Sequence, residues 1–377
     1  MQVCIARLAL IVLVFPRAET SLANVTAERA IVTRNSRFRP LLAKSSERLV
    51  YASFPAYPRP RIKLETERAS ELPCELDLPA TGDVEYPLSF DNLANGKLVL
   101  SFVASKDSLY RYLLVLVVDQ AECQFLAVTT MLDQSRDEQM AQDSVFVVTG
   151  EEEFDVFLKR HQHCDQGKAC RLRYSHIGEL IGVSEFDIAA DAESWTVSSV
   201  ADRNFSDGYF YTVTSRHGTV VQRLEQDLQV QEELQISRTF LYSASRGSVN
   251  SCRAVSATRL ECELRDVQLT GRSRSVVEAQ YFKSFVRAVR LFNLSDGSAM
   301  IVYIMQVYVE PTNGNRFATY LQHLDLHGHA GNPVKFQEDV CKDFKDIGMI
   351  FVRDNFHCFS VYCRDTINTK CAAVRTI

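Results

Sequence analysis

Asn293-Leu294-Ser295-Asp296-Gly297 leads into an apolar run from Ala299 to Val309, then a turn at Asn313-Gly314, then a second run that closes on Asp325-Leu326. Asn204-Phe205-Ser206-Asp207-Gly208 leads in the same way into Tyr209 to Thr214, a turn at His217-Gly218 and a run that closes on Asp227-Leu228. The two starts lie 89 residues apart, about twice the 40–45 residues of one blade in a ring of four-stranded sheets. A looser third copy starts at Asn92-Leu93-Ala94-Asn95-Gly96, 112 residues before the second, and keeps the period if a segment near 150–175 is an insertion. Such a repeat has a physical sense: a four-stranded sheet buries its faces by stacking on the next, and a ring of them protects most edges. Asp-Gly and Asn-Gly supply the tight turns.

Outward from these copies, Lys97 to Val103, Tyr112 to Val118, Gln124 to Thr130, Trp195 to Val200 and Phe317 to Leu326 are rich in Val, Ile, Tyr, Phe and Thr between turn residues, the signature of strands. Glu151 to His161 differs. Phe154, Phe157 and Leu158 fall at helical spacing behind glutamates suited to a helix start, which predicts a short helix within a disulfide-bridged insertion. Residues 24–73 hold five of the ten prolines, and residues 24–63 carry nine Lys or Arg against Glu28 and Glu47. They read as an irregular basic arm. The expected architecture is therefore all-β: a β-propeller of six or seven blades over 74–377, preceded by the arm and interrupted near 150–175. Two β-sandwich domains divided near 150–190 are the alternative, favoured by only 15 glycines and one tryptophan.

With 46% hydrophobic and 24% charged residues, the 377-residue chain has the composition of a folded protein rather than a disordered one. Arg7, the apolar run Leu8 to Pro16 and Ser21-Leu22-Ala23 form the pattern of a secretory signal over residues 1–23. The run is far shorter than the roughly 20 residues that cross a bilayer, and later apolar runs are short too, so no membrane span is expected. Removing residues 1–23 takes away Arg7, Arg17 and Glu19 and leaves 40 basic against 46 acidic residues. That balance argues against a nucleic-acid partner. Residues 133–155 carry eight carboxylates against Arg136 alone, and the basic arm is a candidate to neutralise them or to meet an acidic glycan or surface.

Eleven cysteines become ten once Cys4 leaves with the signal, an even number that reads as a disulfide set in a secreted chain. Short loops favour Cys164–Cys170 and Cys252–Cys262; Cys341, Cys358, Cys363 and Cys371 would pair among themselves, leaving Cys74 for Cys123. The sequons at Asn24, Asn204 and Asn293 are candidate glycan sites in the same compartment.

Chemistry is sparsely signalled. His323-Leu324-Asp325-Leu326-His327-Gly328-His329 would, on a continued strand, set His323, Asp325 and His327 on one face, two imidazoles and a carboxylate able to hold a divalent ion. The competing reading is a solvent-facing strand side with Leu324 and Leu326 in the core. His161, His163, Cys164, Cys170 and His176 resemble a metal set, but a Cys164–Cys170 bridge is simpler. Asp202 to Gly208 alternates oxygen-bearing residues, yet its glycine is one position late for a calcium loop and no closing glutamate follows. There is no Gly-x-Ser-x-Gly elbow, no Gly-x-Gly-x-x-Gly and no Walker-type loop, so serine-elbow hydrolysis and nucleotide chemistry have no signature and no cofactor is expected. Tyr209-Phe210-Tyr211 and Tyr303 to Tyr308 read as core rather than as exposed recognition rings. The expected role is extracellular binding of a protein or glycan through loops; a secreted hydrolase, metal-assisted through His323, Asp325 and His327, and a small-ligand carrier are the alternatives.

Overall fold

The structure is a computed structural model that describes residues 41–373 except 46–47, 54–60, 67–72, 79–82, 94, 107–109, 133–144, 160–167, 189–190, 202–203, 238–239, 257–258, 279–284, 295, 310–313, 338–345, 354–355 and 364–366. Among the described residues every regular element is a strand. The first sheet is β1 (Leu41–Ser45), β2 (Arg48–Ser53), β3 (Arg61–Thr66) and β4 (Cys74–Asp77); the second is β5 (Asp83–Asn92), β6 (Leu98–Lys106), β7 (Tyr110–Asp119) and β8 (Gln124–Leu132). The third is β9 (Val145–Thr149), β10 (Glu153–Lys159), β11 (Lys168–Ser175) and β12 (Leu180–Asp187); the fourth is β13 (Ser194–Ala201), β14 (Asn204–Ser215), β15 (Gly218–Leu224) and β16 (Val230–Ile236). The fifth is β17 (Phe240–Ser245), β18 (Ser248–Ser256), β19 (Arg259–Arg265) and β20 (Gly271–Glu278); the sixth is β21 (Phe285–Asn293), β22 (Ala299–Val309), β23 (Gly314–Leu324) and β24 (Val334–Gln337). A three-stranded seventh follows: β25 (Asp346–Arg353), β26 (Phe356–Tyr362) and β27 (Ile367–Ala373). All pairings are between antiparallel sequence neighbours. The first strands touch in order, β1 with β5, β5 with β9, β9 with β13, β13 with β17, β17 with β21 and β21 with β25, and β25 returns to β1. The chain is a β-propeller of seven blades.

The cores lie between the sheets. Leu98, Leu100 and Phe102 of β6 pack on Val50, Ala52, Ile62 and Leu64 of the first blade, whereas Val99 and Val103 join Phe154, Val156 and Leu158 of the third. Ala299, Ile301, Tyr303 and Met305 of β22 face Cys252, Leu260 and Leu264 of the fifth blade, and Met300, Val302 and Ile304 face Ile347, Phe359 and Val361 of the seventh. A strand buried on both faces reads as an unbroken apolar run instead of an alternation. Each of these side chains contributes about 1.5–3 kcal/mol only if the adjoining blade is present to cover it. Between the third and fourth blades the contact is aromatic: Phe157 meets Tyr209 edge-on at 5.1 Å, Phe186 meets Tyr211 at 5.3 Å and Phe146 meets Trp195 at 5.0 Å. Tyr209, Phe210, Tyr211 and Tyr303 are thus core residues, as their strands implied.

This double burial overturns the helix expected over Glu151 to His161. Those residues supply β10, with Phe154, Val156 and Leu158 toward the second blade and Phe157 toward the fourth. Apolar residues on both faces of one strand imitated a helical period. The irregular arm is corrected too. Its residues from Leu41 onward form the first blade, with Val50, Ala52, Ile62 and Leu64 buried, while Pro55, Pro58 and Pro60 fall in the connection between β2 and β3. Residues 1–23 and 24–40 lie outside the described residues.

One turn is used repeatedly. At Leu93–Lys97, Ser175–Glu179, Glu225–Gln229, Asp266–Thr270, Leu294–Ser298 and Asp325–His329, the first N–H donates to the fifth carbonyl and the fourth N–H donates to the first carbonyl. The fourth residue has positive φ: Gly96, Gly178, Leu228, Leu269, Gly297 and Gly328. Four are glycines, which adopt this conformation freely. Leu228 and Leu269 adopt it at a cost of about 1–2 kcal/mol, offset by burial of their side chains at 7% and 9% exposure. The repeat seen in the sequence is this turn between first and second strands in the second and sixth blades. The Asn204 copy takes a variant form in the fourth, where β14 begins at Asn204 and the α-carbon of Gly208 packs against the Leu224 carbonyl, so that a Cβ would lie only 2.0 Å from its oxygen. The repeat therefore marks alternate blades.

Two bridges match the expected pairing. Cys74–Cys123 joins β4 of the first blade to the β7–β8 turn of the second, and Cys252–Cys262 links directly opposed residues of β18 and β19. Cys170, Cys358 and Cys363 are also disulfide-bonded, with Cys371 standing opposite Cys358 in the β26–β27 register; Cys164 and Cys341 lie outside the described residues. Loop length sets the expected cost of removal. Replacing Cys74 and Cys123, 49 residues apart, by serine should lower the unfolding free energy by about 4 kcal/mol, against about 3 kcal/mol for Cys252 and Cys262, as measured by urea denaturation of the two double variants.

Candidate functional site

Polar side chains collect on the face that carries the first-to-second and third-to-fourth strand turns. In the sixth blade the Ala299–Leu324 register sets Ser298, at the end of the Leu294 turn, beside His323 at the end of β23. His323 Nε2 lies 3.0 Å from Ser298 Oγ, and Ser298 Oγ donates to Asp296 Oδ1 at 2.5 Å. Burial lowers the His323 pKa, opposed by Asp296 and Asp325. His357 of the seventh blade shares this environment: burial, helped by Arg246 and His323 and opposed by Asp296, lowers it to about 4. A serine, an imidazole and a carboxylate are present, but in the wrong order for nucleophile activation, which needs the imidazole between the other two. The hydroxyl proton is committed to Asp296 and Ser298 is fully buried. The arrangement holds the turn in place.

The three-residue metal face expected at His323, Asp325 and His327 does not form. β23 ends at Leu324, so strand alternation stops before Asp325. Asp325 Oδ1 instead accepts from the backbone N–H groups of His327 at 2.9 Å and His329 at 2.7 Å, while Oδ2 lies 3.0 Å from His329 Nδ1. Burial raises the Asp325 pKa, but these bonds from His329 and His327 outweigh it and the net shift is downward. His323 points into the Ser298 network and His327 is exposed. Among the described residues no group of three or more His, Cys, Asp or Glu is arranged to hold a metal ion. His161, His163 and Cys164 lie outside the described residues.

Asn293 requires a second correction. It is 1% exposed, and its Nδ2 donates to the carbonyls of Ser243, Ser245 and Ser248 at 3.1, 2.9 and 2.6 Å, while Oδ1 accepts from Asn250 Nδ2 at 3.0 Å. The side chain clamps the β17–β18 hairpin of the fifth blade to β21 of the sixth. A glycan on this nitrogen is incompatible with the folded ring. Asn204 opens β14 with its backbone paired to Ala201, and Asn24 lies outside the described residues.

Among the described residues a buried ionic group joins the third and fourth blades, one that the sequence patterns above do not single out. Asp155 of β10 receives both Nε and Nη2 of Arg173 at 2.9 Å, and Tyr209 Oη of the fourth blade donates to Asp155 Oδ2 while accepting from Arg173 Nη2 at 2.9 Å. Burial, then Asp155, drives the Tyr209 pKa upward. Arg171 adds a second tie across the same pair of blades, from Ser184 Oγ at 2.8 Å to the Gln226 carbonyl. The available signal was a single carboxylate inside the apolar stretch Phe154-Asp155-Val156-Phe157, which demands a partner once buried.

No protein-family model matches the chain, and no curated protein matches it. Among solved structures it is similar to the β-propeller domain of the Trilobed protease from Pyrococcus furiosus, at 13% identity and a TM-score of 0.49 over 93% of this chain and 97% of that one. It is also similar to the WD40 domain of SCAP from fission yeast, at 9% identity and a TM-score of 0.44 over 90% and 83% of the two chains. Prolyl oligopeptidase B from Galerina marginata is similar at 12% identity and a TM-score of 0.42 over 70% of this chain, which spans 38% of that protein's length. These likenesses concern the fold; the seven-bladed ring itself rests on the strand order described above.

Asn293→Ala should cost about 2–4 kcal/mol in thermal or urea unfolding, because it strands buried carbonyls and Asn250, and peptide mapping of the folded protein should find Asn293 bare. Acid should weaken the ring through His357. Its folded pKa of about 4 lies below the unfolded value of about 6.5, so the unfolded chain binds the proton first. The stability present above pH 6.5 is lost as pH falls toward 4, by about 3 kcal/mol in all. Urea titrations from pH 7 to 4 should show this slope, and His357→Gln should flatten it.

Proposed function

We propose that the chain is a disulfide-bonded binding protein of the extracellular space, whose ring presents its connecting segments to a protein or glycan. The observation that carries this reading is the Cys74–Cys123 bridge between two blades: a bond of this kind persists where thiols are kept oxidised. The apolar run Leu8 to Pro16 and the sequons at Asn24 and Asn204 support the same route. The polar residues that first suggest catalysis, His323, Ser298, Asp296 and Asp325, are engaged with one another or with turn backbone, which favours recognition over turnover. The segment between β8 and β9, residues 133–144, lies outside the described residues; its sequence contains Asp133, Asp137, Glu138 and Asp143 against Arg136, so a basic partner surface complements it.

Expression of the full chain in a secreting eukaryotic cell should deliver protein to the medium, starting after about residue 23 and yielding a Cys74–Cys123 linked peptide in a non-reducing digest. Recovery from cytosol with Met1 attached and free thiols would overturn the reading. Replacing Asp133, Asp137, Glu138 and Asp143 together by their amides should weaken retention by basic extracellular ligands; unchanged retention would remove this segment from the binding face.

A further inference from the structure

β12 ends the third sheet and carries Leu180, Ile181 and Val183 at 46%, 53% and 41% exposure, beside Ile177 at 46% in the preceding turn. Outer strands are normally kept from pairing by shortness or by charge, and four of the other blades show one of these devices, whereas β8 is long and uncharged and exposes Val128. β4 and β24 have four residues each, β16 exposes Glu233 beside Glu232, and β20 exposes Arg272 and Arg274. β12 has no charged residue before Glu185. Among the described residues β12 exposes three large apolar side chains, against one each on β8, β16 and β20.

Charge decides what this edge can accept. Glu179 and Asp187, both exposed, border the apolar stretch, and Glu185 lies between them with Lys168 Nζ 3.4 Å away. A second copy pairing antiparallel would set Ile181 against Val183, or Val183 against itself. These registers put Glu179 opposite Glu185 or Asp187, and directly opposed like charges destabilise a strand pair. A strand with Lys or Arg at its ends meets the same carboxylates favourably.

We propose that β12 receives an extended peptide strand of a partner, with β-branched residues at its centre and Lys or Arg toward its ends, which adds to the third sheet as a fifth strand. Main-chain hydrogen bonds to the outer edge, which no described strand pairs, would supply affinity, and the Ile181–Val183 surface with its bordering carboxylates would supply selection. This surface is separate from the connections considered above, and its test uses purified chain, so failure here leaves the secretory reading standing.

The purified full chain is titrated with a fluorescent peptide of alternating Val and Thr with Lys at both ends, and with its Glu-ended counterpart. The Lys-ended peptide should bind saturably and the Glu-ended one at least about tenfold more weakly; Val183→Lys, which both exposes a charge and opposes the peptide's own, should lose about tenfold or more. Val230→Lys on β16 should leave binding unchanged. Circular dichroism checks that each variant is folded. Equal binding of the two peptides, no binding, or full binding by folded Val183→Lys would overturn the proposal. So would a concentration-dependent dimer of the free chain abolished by Val183→Lys, which would make the edge a self-association surface.

Discussion

A sheet with two apolar faces has no comfortable place in water unless both faces are covered, and the whole molecule follows from that demand. β6 and β22 send alternate residues to the preceding and following blades, so neither face is spare. Each blade is the solvent shield of its neighbours, and the stability of any one is a property of the set. Short turns with one left-handed residue keep successive strands close enough for this to work, and they are tight enough that buried leucines occupy the strained position twice.

The polar networks play a different part. Apolar contact between blades is tolerant of sliding, whereas the bidentate Asp155–Arg173 pair with Tyr209, and the Asn293 clamp on three carbonyls, accept one register only. Burying such groups contributes little net stability when every partner is present and costs several kcal/mol when one is missing. They fix how the third blade sits against the fourth and the fifth against the sixth.

Much of the ring could be read from the chain. Strand runs, turn glycines and the recurrence of Asn-x-x-Asp/Asn-Gly pointed to blades, and the pairing of Cys74 with Cys123 followed from composition and elimination. What misled was burial on both faces: Phe154, Phe157 and Leu158 looked helical because nothing in a linear pattern distinguishes two covered faces from one helical stripe. The first blade was hidden by prolines that sit between strands. The site fared worse. His323, Asp325 and His327 share a face only if the strand continues, and it is Asp325 itself, gathering the N–H groups of His327 and His329, that ends it. Asn293 satisfies a glycan-acceptor pattern while serving as an internal clamp, a distinction made by tertiary contacts alone.

The seam between the first and last blades is built differently from the others. Each sheet is built from consecutive strands, and among the described residues the first and last blades meet where β1 lies against β25, with no backbone ladder running across. Parting them exposes area but breaks no sheet, whereas loosening any other neighbour pair also strains the covalent connection between them. The molecule therefore resembles a clasped bracelet whose catch lies at this junction, and heat or traction should find that catch before any link.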